Sequence, residues 1–156
     1  MSEGLEAGAA PPEFDLPVDG GGRASLSGLK GKKVVLYFYP KDDTSGCTAE
    51  AIAFNGLRDE FDAASAFLLG VSPDSVKSHD KFKKKYELQF SLGADETKSM
   101  LEAYGVWREK SMYGRKYMGV ERTTFLISAD GRIARVWRKV KVPGHAEEVL
   151  AAARAI

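Results

Sequence analysis

The chain has 156 residues, 44% of them hydrophobic and 29% charged, which suits a single domain able to bury one good core. Lysine plus arginine (23) nearly balances aspartate plus glutamate (22), and the net charge of +1 provides no global field to recruit nucleic acid, acidic lipid or a polyanionic substrate. A single cysteine, Cys47, excludes an internal disulfide framework and a cysteine-based zinc cluster, and no apolar run is long enough to cross a bilayer.

The first stretch, MSEGLEAGAAPPEF, has no basic start and no apolar segment of the secretory type. Together with the lone cysteine it fits a reducing cytoplasmic location, and residues 1–12 read as a mobile leader to one domain spanning 1–156. DLPVDGGGRASL places a glycine-rich turn between two short extended pieces, as in a hairpin. The continuous run Val34 to Tyr39, closed by Pro40, is the strongest strand signal and reads as a central strand buried on both faces. From Thr44 the spacing turns helical: Cys47, Ala51, Phe54, Leu57, Arg58 and Phe61 fall close to one stripe, with Thr44 or Ser45 as N-cap and Glu50 as a carboxylate in the early turns.

AFLLGVS reads as a second buried strand and Ser75 to Tyr86 as a second amphipathic helix. TKSMLEAYGV suggests a short third helix, TTFLIS a strand, ADG a turn, RIARVWRKV a partner strand, and HAEEVLAAARAI a terminal helix. Strands alternating with helices and ending in an antiparallel pair predict an α/β fold with a mixed central β-sheet flanked by helices and an N-terminal β-hairpin. Thioredoxin-like folds have this layout.

Cys47 follows a buried strand, a proline-containing turn and a helix start. Its sulfur is expected in the first helical turn, where unpaired backbone N–H groups favour thiolate over thiol. The plain alternative is a small buried hydrophobe. The other candidates are weaker. DGGGR lacks the strand-then-helix context of a dinucleotide loop. The basic run KFKKKY reads as a solvated helix face, with acids nearby. His79 and His145, the only histidines, do not make a metal site by themselves. Tyr37, Phe38, Tyr39, Phe54, Trp107 and Trp137 read as core or pocket wall.

YFYPKDDTSGCTAEAIAF resembles the active-site loop and helix of the peroxiredoxins, in particular the peroxiredoxin Q or bacterioferritin comigratory protein branch, and the similarity extends through GVWREKSMYGRKYMGVERTTFLIS to VKVPGHAEEVL. The resemblance implies a thioredoxin-like fold and thiol-dependent reduction of hydrogen peroxide and organic hydroperoxides, with no cofactor or metal. The branch's Pro-x-x-x-Thr-x-x-Cys pattern falls on Pro40, Thr44 and Cys47, and its active-site arginine on Arg122.

In that reading Cys47 attacks a peroxide oxygen and becomes a sulfenic acid. Thr44 and the amides around Gly46 bind the peroxide, Arg122 holds thiolate and peroxide in place, Pro40 shields the pocket, and Glu50 steers Arg122.

Two positions depart from the branch. Ser45 stands where many members have proline, and Ile52 stands where a resolving cysteine often follows five residues after the first. The resemblance therefore implies a one-cysteine variant whose sulfenic acid is reduced by an external thiol: glutathione, a glutaredoxin or thioredoxin, or Cys47 of a second copy. A monomer is expected, with a Cys47-linked dimer as an oxidised form. The competing functions are a thiol-disulfide oxidoreductase and a non-catalytic cysteine redox sensor.

Overall fold

A computed structural model describes residues 5–156. Its main sheet has five strands in the order β5-β4-β3-β8-β9. The central strand β3 (Lys33–Phe38) runs parallel to β4 (Ala66–Ser72), which runs parallel to β5 (Ser91–Ala94). On its other side β3 is antiparallel to β8 (Thr123–Ile127), and β8 is antiparallel to β9 (Ile133–Trp137). This is the mixed sheet expected from the sequence.

Successive side chains of a strand point to opposite faces, and β3 supplies two cores in this way. Val35, Tyr37 and Tyr39 join one cluster with Cys47, Phe54, Phe82 and Val149. Val34, Leu36 and Phe38 join the other with Phe14, Leu16, Leu101 and Tyr104. Helices α1 (Ser45–Gly56), α2 (Arg58–Ala63), α3 (Val76–Tyr86) and α5 (His145–Arg154) contribute to the first cluster, and the short α4 (Ser99–Ala103) to the second. Among the described residues no helix is long and apolar enough to cross a membrane.

The N-terminal hairpin pairs β1 (Asp15–Pro17) with β2 (Arg23–Ser25) as expected. The single helical stripe from Cys47 to Phe61 is instead two helices, because the chain turns at Leu57 (φ −108°, ψ 9°) after Gly56. Glycine is a poor helix residue, and the break lies beside it.

Two elements were not among those expected. One is β5, whose short, small-residue run carries little strand signal. Gly93 there has no room for a side chain, since a Cβ would sit 2.4 Å from Leu16 Cδ1. The other is a hairpin of β6 (Trp107–Met112) and β7 (Arg115–Val120). Its two-residue turn, Tyr113-Gly114, has positive φ at both positions (53° and 77°), the geometry that matches the twist of paired strands.

Of the expected mobile leader, residues 1–4 lie outside the described residues. Within residues 5–12, Gly8 N–H donates to Ile133 O (2.7 Å), Ala9 O accepts from Ile133 N–H (3.0 Å), and Pro12 O accepts from Tyr104 OH (2.7 Å). Leu5 and Ala9 add apolar contact with the second cluster.

Candidate active site

The site forms where the C-terminal end of β3 meets the N-terminal end of β8. The register pairs Phe38 with Thr123, so Arg122, one residue before β8, stands beside the point where the chain leaves β3 through Tyr39 and Pro40 and turns into α1. Sequence neighbours of Cys47 and a residue 75 positions away are thereby brought to one spot.

Arg122 Nη2 donates to Cys47 Sγ at 3.3 Å, and Arg122 Nη1 donates to Glu50 Oε1 at 2.6 Å. Gly46 makes room for this arrangement: a Cβ there would lie 3.3 Å from Arg122 Nη2, a tight contact with the guanidinium. Cys47 itself is 1% exposed, and Glu50 is equally buried on the same helix. The first backward hydrogen bond of α1 runs from Thr48 N–H to Thr44 O (2.8 Å), so the amides of Ser45, Gly46 and Cys47 stand ahead of the helical ladder.

Burial opposes a charge on Arg122, but the adjacent Glu50 and Cys47 outweigh it and hold the guanidinium pKa above its ordinary value. Glu50 responds in the other sense: burial raises its carboxyl to about 7, with Arg122 pulling it down less strongly. Its second oxygen, Oε2, is buried with no partner, as is the hydroxyl of Tyr37. Tyr37 titrates well above the ordinary tyrosine range, first through burial and then through the nearby Glu50 and Cys47. The site thus places one fixed cation between a sulfur and a carboxyl, with unsatisfied polar atoms beside them.

Thr44 occupies the N-cap position (φ −98°, ψ 159°), but its hydroxyl does not cap the helix. It donates to Lys41 O at 2.9 Å and closes the loop, leaving its oxygen lone pairs available. Glu50 is likewise no surface carboxylate serving the helix dipole; it is the buried partner of Arg122. Pro40 is partly buried at the start of the loop. Ile52 lies on the outer face of α1 and is 49% exposed.

The sequence reading missed a buried cluster behind this loop. Asp42 accepts from His79 Nδ1 (2.7 Å), Tyr39 OH (2.6 Å) and Ser78 Oγ (2.8 Å), while His79 Nε2 faces Gly93 O at 2.8 Å. Both ring nitrogens face acceptors, which is the arrangement of an imidazolium donating twice. Burial alone would lower the His79 pKa; the hydrogen bond and charge of Asp42 outweigh it and raise it. The available signal was His79 on the apolar stripe of α3, three residues before Phe82. His145 sits apart from this cluster, with Nε2 2.8 Å from Thr124 Oγ1.

The model of the AhpC/TSA family matches residues 7–136. The chain belongs to the AhpC/TSA family. Within it the chain is a peroxiredoxin, similar to the Bcp and peroxiredoxin Q proteins, and it carries a single cysteine. It is 52% identical over 146 residues to a putative peroxiredoxin Bcp of Coxiella burnetii, covering 94% of this chain and 97% of that one. It is 47% identical over 146 residues to peroxiredoxin Bcp of Bacillus subtilis, with 94% and 93% covered. Among solved structures, the Xanthomonas campestris bacterioferritin comigratory protein, described for its alkyl peroxide reduction activity, superposes with a TM-score of 0.87 at 48% identity, over 91% of this chain and 90% of that one.

Proposed function

We propose that this peroxiredoxin reduces hydrogen peroxide and organic hydroperoxides by a one-cysteine cycle completed by an external thiol, in a reducing compartment such as the cytoplasm. The observation that carries the reading is Arg122 donating to both Cys47 Sγ and Glu50 around a buried sulfur. A cation fixed at 3.3 Å from the sulfur is placed to stabilise the negative charge that moves onto the peroxide oxygens during attack.

In the first step the Cys47 thiolate attacks the terminal peroxide oxygen. The S–O bond forms as the O–O bond breaks, the sulfur is oxidised to sulfenic acid, and the departing oxygen leaves as water or an alcohol after taking a proton. Arg122 and the amides of Gly46 and Cys47 stabilise the charge that develops on the oxygens, and Thr44 accepts from the peroxide hydroxyl. In the second step a thiol RSH attacks the sulfenic sulfur, releasing water and leaving a mixed disulfide. A second thiol displaces Cys47 and carries away the disulfide RSSR.

A near-complete burial of Cys47 favours a small peroxide over the disulfide of another protein as the oxidising substrate. Alkyl peroxide reduction by the Xanthomonas campestris relative supports organic hydroperoxides as substrates. The chain acts as a monomer in this scheme, and a Cys47-linked dimer requires the first turn of α1 to open.

The test is intact-mass analysis after one equivalent of peroxide, with and without glutathione, beside steady-state peroxide consumption. A gain of one oxygen, conversion to a mixed disulfide and loss of turnover in Cys47→Ser are expected. Stoichiometric oxidation with no turnover under any added thiol would overturn the catalytic reading in favour of a sensor.

A further inference from the structure

The basic run of α3 has no part in the chemistry above. Lys77, Lys81, Lys84 and Lys85 follow the spacing of one helix face, while His79 and Phe82 on the opposite side are buried. This face borders an open cleft of about 920 Å³ whose far wall is the loop carrying Asp42 and Asp43, and whose lining includes Ser75 and Phe82.

The nearby carboxylates are already engaged. Asp42 is held by His79, Tyr39 and Ser78. Asp74 accepts from Asp42 N–H and Ser72 Oγ, and Asp80 from Gly20 N–H. Asp43 accepts from Lys85 Nζ (2.9 Å) and Tyr86 OH (2.7 Å), and Lys83 reaches away to Asp19. Among the described residues, Lys77, Lys81 and Lys84 have no carboxylate within ion-pair distance. A cleft lined by three uncompensated cations on a chain of net charge +1 is a local preference for an anion.

We propose that this cleft binds a carboxylate-bearing low-molecular-weight thiol, of the class of the tripeptide glutathione, and delivers it to oxidised Cys47. The proposal rests on the external-thiol cycle above. Its volume falls in the range of small-molecule sites, and its lysines are spaced point charges suited to separated carboxylates.

The position couples binding to access. Asp43 lies four residues before Cys47, has a left-handed backbone (φ 60°) and accepts from Lys85 and Tyr86. A ligand carboxylate competes with Asp43 for Lys85, loosening the loop that leads into α1 and to the buried sulfur. The bound thiol then attacks the Cys47 sulfenic sulfur, forming the mixed disulfide and releasing water; a second thiol of the same class reduces that disulfide and regenerates Cys47.

The experiment preforms the sulfenic acid with one equivalent of peroxide and measures its second-order reduction by glutathione and by uncharged 2-mercaptoethanol. It compares the wild type with Lys77→Gln/Lys81→Gln/Lys84→Gln. At about twofold per exposed charge, the triple variant is expected to lose about tenfold with glutathione. The rate with 2-mercaptoethanol and the preceding peroxide attack should stay within about twofold of wild type, and added salt should slow only the glutathione reaction.

Equal losses with both thiols, or no loss with glutathione, overturn the cleft. So does a loss confined to a thioredoxin-class protein, which would make the lysines a protein-docking face. Reduction of wild type by neither small thiol would overturn the cleft, and reduction by neither a small thiol nor a thioredoxin-class protein would instead overturn the one-cysteine cycle itself.

Discussion

Glu50→Gln isolates the energetic cost of the carboxyl beneath Arg122. The folded carboxyl titrates at about 7 against an ordinary 4.5, chiefly because burial disfavours its charge. A group raised in the folded state makes a stabilising contribution that is complete below its unfolded value and is lost as pH rises through the folded one. At about 1.4 kcal/mol per pH unit between the two values, wild type should lose about 3 kcal/mol relative to Glu50→Gln from pH 4.5 to 7, with little further change above.

The assay is urea denaturation of both proteins at half-unit pH intervals, read as the difference in unfolding free energy. Other titrating groups, His79 included, act on both proteins and cancel in that difference, and any fixed cost of the glutamine amide is an offset independent of pH. A difference flat across this range would refute the assignment of a raised carboxyl. A difference of opposite slope would mean that attraction to Arg122 exceeds the cost of burial.

Arg122→Met should slow the attack of Cys47 on peroxide by about 10²–10³-fold, measured by stopped-flow mixing with limiting peroxide, since one fixed donor to the reacting centre is lost; an unchanged rate would remove the residue from the mechanism. His79→Ala should destabilise the fold by about 3–5 kcal/mol in denaturant, because Asp42 is left buried without its cation, and a loss below about 1 kcal/mol would count against a structural ion pair. Ile52→Cys should form an intramolecular disulfide with Cys47 after one equivalent of peroxide, with a measurable fall in helical circular dichroism. Residues five apart on a helix have Cα atoms about 8–9 Å apart, beyond disulfide reach, so a bridge formed without loss of helicity would contradict the helix seen through both positions.

The elements that position the site were legible because their signals are local. Val34 to Tyr39 could be read as a central strand from its unbroken apolar run, and its two-sided burial follows from the two cores it supplies. The start of α1 was visible in Thr44 and the spacing behind Cys47. What the residues alone left open was Arg122, since nothing near it in sequence announces a partner 75 positions away; the peroxiredoxin resemblance suggested it, and the β3–β8 register supplies the physical reason.

The Asp42–His79 pair was hidden for the same reason, being made between a loop and a helix 37 residues apart. Thr44 shows a different limit. Its position as N-cap was readable, but the direction of its hydroxyl depends on where the carbonyl of Lys41 lies.

Residues 8–18 also bear on the edges of the main sheet. Gly8 and Ala9 occupy backbone groups on the outer side of β9, and Val18 forms an isolated bridge to Gly93 on β5. Those are the two outermost strands of the sheet. Each margin is thus engaged at one point by the protein's own chain, at Ile133 and at Gly93, which interrupts the row of free backbone groups a neighbouring strand would pair with. Trimming that segment would both uncover backbone groups on the two outermost strands and remove Phe14, Leu16 and Val18 from the second core, so the same stretch serves the sheet's edges and its packing.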